Sequence, residues 1–160
     1  MNERLLGRLP TAFWTVPYAG SRHPGSPAVP ELPEPPGLLP ALAAGANCQL
    51  FAYAVLRHFA LAPPELRSSE LWADTRATVR VSRARPLDLL LFGATEDAYG
   101  AHVGVWADDD QVLHLCAEAG RPAVWSLREF ARRERYRVLI GVKRVIRAGT
   151  APVGDTPSDR

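Results

Sequence analysis

Four apolar segments of β type follow one another in the second half of the chain, LDLLLFG, HVGVW, QVLHLC and YRVLIGVKRVI, separated by turn-forming Gly and Asp clusters. Segments of this kind are predicted to pair into an antiparallel sheet. The period upstream is different. From Asn47 to Phe59 the apolar residues Phe51, Ala54, Val55 and Phe59 recur at helical spacing and define one buried face, and Pro63 and Pro64 end the run. A shorter helix is expected next, with Ser68 or Ser69 as N-cap ahead of ELWADT. Ser126 and Glu129 form an S-x-x-E capping box that opens LREFARR before the last strand. Two helices followed by an antiparallel sheet that a further helix interrupts predict an α+β fold.

At 160 residues the chain suits one domain, expected over residues 1–148, with residues 149–160 as a flexible tail. Residues 21–40, SRHPGSPAVPELPEPPGLLP, carry too many prolines for a helix or a central strand and are read as an extended loop lying over the domain. No apolar run approaches the ~18 residues of a membrane span, so membrane insertion is not expected. The first twenty residues lack the apolar core and cleavage site of a signal peptide, which points to a cytoplasmic location; export by a route that needs no signal peptide is the other option. The arginines are spread among acidic residues and the formal charge is only +2. That pattern describes a solvated surface without the basic stripe of a nucleic-acid binder. Neither cysteine belongs to a CxxC pair and the four histidines show no zinc spacing, so no metal or cofactor is expected and both cysteines are read as free thiols. Nothing in the sequence indicates an oligomeric state.

The stretch GANCQLFAYAVLRHFA puts a cysteine in an unusual place. Asn47 is a good N-cap, which makes Cys48 the first helical residue, with its sulfur near unpaired backbone N–H groups and the positive end of the helix dipole. The dipole is worth about 0.3 to 1 kcal/mol and lowers a thiol pKa of ~8.5 by about one unit. A dedicated nucleophile then needs an imidazole beside it. His102 opens HVGVW, and His114 lies twelve residues on in QVLHL. In a hairpin this even separation lets both face the same side, with Cβ atoms roughly 4.5 to 5.5 Å apart if directly opposed. Direct opposition puts Trp106 opposite Asp110 across Ala107, Asp108 and Asp109, or a longer odd loop; an even loop would send the imidazoles to opposite faces. In the expected register both histidines face the start of the Cys48 helix, and Val103 and Val105 pack on the other side. The predicted triad is Cys48 as nucleophile, His102 as general base and His114 as the group that fixes its tautomer. Cys116 is read as a packed hydrophobe.

The helix-initial cysteine, RPLDLLLFG, HVGVW and VLHLC, in this order and spacing over about residues 45–145, resemble the NlpC-like cysteine peptidases, bacterial papain-like domains that cut peptidoglycan stem peptides. The resemblance implies a nucleophile helix packed on an antiparallel sheet and hydrolysis of a peptide or amide bond through an acyl-cysteine, on a stem peptide or a related small peptide. VPYAG is similar to the family's Tyr-containing segment, which would put Tyr18 at the site. Asn47 and Gln49 stand where the family has the acid and serine that hold a substrate's amino terminus, which makes them the implied substrate-binding residues and removes a carboxylate. Two other functions are compatible with the same residues: an intracellular acyltransferase or amidase acting on a small metabolite, and a catalytically inactive binding module of the same fold.

Overall fold

The computed structural model describes residues 4–29 and 31–149. Within them six strands, β1 (Thr78–Val81), β2 (Leu89–Gly93), β3 (His102–Asp108), β4 (Gln111–Leu115), β5 (Pro122–Trp125) and β6 (Val138–Val145), form one sheet. The spatial order is β1-β6-β2-β3-β4-β5 with every neighbouring pair antiparallel. The helices are α1 (Leu5–Arg8), α2 (Leu38–Ala41), α3 (Cys48–His58), α4 (Ser68–Ala73) and α5 (Leu127–Ala131), with 3-10 turns at Thr11–Thr15 and Glu134–Tyr136. This is the expected α+β architecture. None of these helices is long and apolar enough to cross a membrane.

The four anticipated strands are β2, β3, β4 and β6. The additional β1 and β5 are four-residue edge strands. Their brevity hides them in the sequence, and Pro122 at the start of β5 is tolerated because an edge strand has one side without a ladder.

Helix α3 packs on one face of the sheet. Phe51, Val55 and their neighbours join Leu89, Leu91, Val103, Val105 and Leu113 in the main core. The opposite face carries a smaller cluster that includes Phe92, Val112, Trp125, Phe130 and Tyr136. The Ser126 capping box forms as expected, with Glu129 N–H donating to Ser126 Oγ at 3.2 Å and Ser126 N–H to the Glu129 carboxylate at 2.9 Å. It starts α5 and so delivers Phe130 to that second cluster.

Three expectations need correction. Neither Ser68 nor Ser69 is the N-cap of α4; Arg67 takes that position and donates its N–H to Glu70 at 3.4 Å. The buried Ser68 hydroxyl instead accepts from Ala101 N–H at 3.1 Å, just ahead of β3. The proline-rich segment has Val29, Leu32 and Leu38 buried against the domain, yet α2 begins within it. Pro40 fits there because it sits in a first turn, where a missing N–H breaks no helical hydrogen bond. Of the expected flexible tail, residues 149–160, positions 150–160 lie outside the described residues; Gly149 N–H donates to Ala60 at 2.8 Å, and Ala148 before it bridges Leu61.

The third correction concerns the β3–β4 hairpin. Its turn is the even, two-residue type: Asp108 pairs with Gln111, and Asp109 and Asp110 between them have positive φ of 37° and 61°, the signature of a type I′ turn. One residue farther in, the register shifts, so that Trp106 pairs with Val112 and Val105 with Leu113. The extra residue on β3 is a bulge, and it reverses the parity that the even turn would impose.

Asn47 caps α3 as predicted, its side-chain oxygen accepting Leu50 N–H at 2.8 Å. Asn47→Ala is expected to lower the unfolding free energy by about 1 kcal/mol and Asn47→Ser to keep most of it, as read from urea denaturation midpoints.

Candidate active site

Because of the bulge, His102 and His114 share a face after all, although diagonally: the ladder carries His114 opposite Gly104. The absent side chain at Gly104 makes the diagonal contact feasible, since a Cβ there would lie 2.6 Å from Val112 Cγ1 and 3.4 Å from His114 Cβ. The imidazoles meet edge to face with His102 Nε2 and His114 Nδ1 2.9 Å apart. They lie on the face away from the body of α3, whereas the expected arrangement turned both toward the start of α3 and put Val103 and Val105 on the other side. Val103 and Val105 are the residues under the helix, because its apolar stripe is satisfied by aliphatic side chains, while the imidazoles lie among aromatic rings. Tyr136 is 4.7 Å from His102, and Trp125 and Phe130 are 4.2 and 4.7 Å from His114, centroid to centroid.

Cys48 nevertheless shares a cavity with His102, because each is the first residue of its element, and the start of α3 adjoins the start of β3. Both line a cavity of about 130 Å³. His114 does not line it, and reaches the cavity only through His102. Burial pushes both imidazoles down, His102 to about 3 with the Arg135 charge as a smaller cause and His114 to about 2 with His102 and Arg133 contributing. The pair is therefore neutral at pH 7, one ring nitrogen donating and the other accepting. His114 Nε2 is buried and has no hydrogen-bond partner among the described residues.

The expected depression of the Cys48 thiol is not found. Enclosure by protein pushes it up to about 11, although backbone N–H groups of Val103, Gln49 and Cys48 itself favour the thiolate. Desolvation outweighs the helix start. The resting site is thus a neutral thiol beside a neutral imidazole.

Tyr18 does line the cavity. Its segment is laced to the approach of α3 by Ala46 N–H to Pro17 O, Ala19 N–H to Ala46 O and Asn47 N–H to Arg22 O, at 2.8 to 3.1 Å. Gly45 permits this closeness: its φ is +112° and a Cβ would lie 2.8 Å from Ala19 Cβ. The side chains of Asn47 and Gln49 are not brought to the cavity. Asn47 is engaged in the cap, and Gln49 is buried, donating to Leu66 O at 3.1 Å and to the Tyr53 hydroxyl at 3.4 Å. Six cavity residues have no counterpart among the expected site residues, and three of them, Cys116, Arg135 and Tyr136, carry ionisable side chains. Cys116 is buried as anticipated but also faces the cavity; Tyr136 and Arg135 come from the turn before β6. Tyr136 was visible only as the first letter of an apolar strand run.

A scan of the sequence against family models finds no match, and a search of curated proteins finds none. Solved structures do match. An NlpC/P60 family protein from Bacillus cereus is 18% identical with a TM-score of 0.51, over 65% of this chain and 33% of that one. The peptidoglycan hydrolase RipB from Mycobacterium tuberculosis is 21% identical with a TM-score of 0.50, over 86% of this chain and 69% of that one. The chain spans about a third of the length of the Bacillus protein. Its fold is that of an NlpC/P60 domain, the papain-like arrangement expected from the sequence.

The neutral histidine pair makes folding pH-dependent. With folded-state values far below the ordinary 6.5, the unfolded chain binds more protons as pH falls, so stability is full above about pH 6.5 and is lost below it, by up to about 1.4 kcal/mol per pH unit for each histidine. Thermal melts should show this slope between pH 6 and 4, and His114→Gln should flatten it. Gly104→Ala is expected to cost about 1 to 3 kcal/mol through overpacking and to disturb the His102–His114 bond, read as a broadened or shifted imidazole NMR signal.

Proposed function

We propose that the protein is a cysteine hydrolase that cleaves a peptide or amide bond through an acyl-cysteine intermediate, acting on a peptidoglycan-type stem peptide or a related small peptide. The observation that carries this reading is the 2.9 Å contact of His102 Nε2 with His114 Nδ1 behind a cavity that Cys48 and His102 line together. Likeness in fold to NlpC/P60 domains supports it.

The proton inventory supports these roles. For His102 to act as base, its Nδ1 must carry a lone pair, so its proton sits on Nε2 and is donated to His114 Nδ1; His114 then holds its own proton on Nε2. His114 thus selects the tautomer of His102 and stabilises the imidazolium that forms. Because Cys48 rests as a thiol, thiolate forms as the proton passes to His102 during attack on the scissile carbonyl. The sulfur–carbon bond forms, His102 returns the proton to the leaving amine, and the same base then activates water to break the thioester. The backbone N–H of Cys48, at the helix start, is suited to receive the oxyanion.

Incubation with a library of muropeptides and metabolite amides, read by mass spectrometry, should give cleaved products and a covalent acyl adduct on Cys48. Cys48→Ala should abolish both while leaving the fold intact, since Ala suits a first helical position. His102→Ala should be nearly as damaging; His114→Ala should cost less, with His114→Asn or Gln recovering part. Turnover by Cys48→Ala would refute the mechanism.

A further inference from the structure

Of the nine residues that line the Cys48 cavity, Arg135 alone carries a formal charge. It is exposed at the mouth, held by the turn Glu134–Tyr136 with its guanidinium 5.9 Å from the centre of the Tyr136 ring. Arg4, Arg57, Arg133 and Arg144 are each paired with a carboxylate, and Arg135 has no such partner among the described residues. Among the described residues no acidic side chain lines the cavity with it. An unpaired guanidinium offers a planar fork that matches a carboxylate, and here the fork stands at the wall that also holds the base.

We propose that Arg135 binds a carboxylate on the substrate, close to the scissile bond, so that the site selects anionic peptides or amides over neutral ones; this rests on the reading of Cys48 as the nucleophile. The position has a second effect. Attack by Cys48 places a positive charge on His102, and the Arg135 charge opposes that imidazolium. A bound carboxylate neutralises the opposition, so the same contact that recognises the substrate eases proton transfer. With Asn47 and Gln49 turned to structural tasks, the described residues of the cavity wall provide no carboxylate for a substrate ammonium. Its polarity favours an anionic group instead.

The test uses two alkylating agents of nearly equal size, iodoacetate and iodoacetamide. With either, the Cys48 sulfur attacks the CH2 carbon, a C–S bond forms and iodide leaves; only iodoacetate carries a carboxylate. Rates at Cys48 are followed by peptide mapping at one fixed, mildly alkaline pH. The iodoacetate-to-iodoacetamide rate ratio should fall roughly ten- to hundredfold in Arg135→Gln, the scale of one charge-assisted contact, and Arg135→Lys should keep a large part of it. In the unaltered protein, succinate should slow labelling by iodoacetamide and succinamide should not, a readout independent of how any variant folds. An unchanged ratio in Arg135→Gln, or equal effects of succinate and succinamide, overturns the proposal. If Cys48 still forms an acyl adduct with a library substrate under those outcomes, the hydrolase reading stands and only the carboxylate site is lost. If Cys48 proves dispensable for turnover, the reading fails and the proposal with it.

Discussion

A two-residue turn joined to an unbroken ladder would send His102 and His114 to opposite faces of the sheet. The extra residue on β3 between Trp106 and Asp108 restores the parity, and the candidate site depends on that one irregularity. Without it, His114 could not reach His102 and the aromatic cluster on the second face would enclose one imidazole rather than two. Bulges serve this purpose generally, because a strand that slips by one residue turns over every side chain beyond the slip. Gly104 is the complementary device, since it leaves room for a diagonal pair where a directly opposed pair would need none.

Enclosure sets the chemistry as firmly as register does. Two imidazoles packed against aromatic rings and an enclosed thiol are cheaper neutral than charged, and the pKa shifts of Cys48, His102 and His114 all run that way. Burying His114 Nε2 without a partner among the described residues costs about 1 to 3 kcal/mol. The second aromatic cluster offsets that cost through Trp125 and Phe130, whose rings press on His114. At rest the thiol and both imidazoles are thus neutral, and the formal charge on the cavity wall is that of Arg135.

Much of this was legible in the sequence. The helical stripe from Phe51 to Phe59, the Asn47 cap, the Ser126 capping box and four of the strands are local patterns, and local patterns survive folding. The spacing of His102 and His114 gave the right neighbours. What the sequence could not show were effects of distance and burial. Two Asp residues announce a turn without saying whether a bulge follows it. A helix-initial cysteine announces a favourable dipole without saying how deeply its sulfur is enclosed. Asn47 and Gln49 flank the cysteine in sequence, yet a helix start turns successive side chains in different directions, and both were claimed by hydrogen bonds elsewhere. Arg135 had no motif at all; only the turn before β6 brings it beside residues far away in the chain.

The segment around Tyr18 forms one wall of the cavity and is held by backbone hydrogen bonds to two remote places, the approach to α3 at Ala46 and the turn at Gly120 that follows Cys116. Helix α3 draws on one local stretch of chain, but the cavity needs residues near 18, 48, 102 and 136 docked at once. Such long-range contacts come late in assembly because each closes a long loop. A nascent or partly unfolded chain therefore carries the thiol but no site around it, so reactivity is gained as a property of the completed fold rather than of the cysteine.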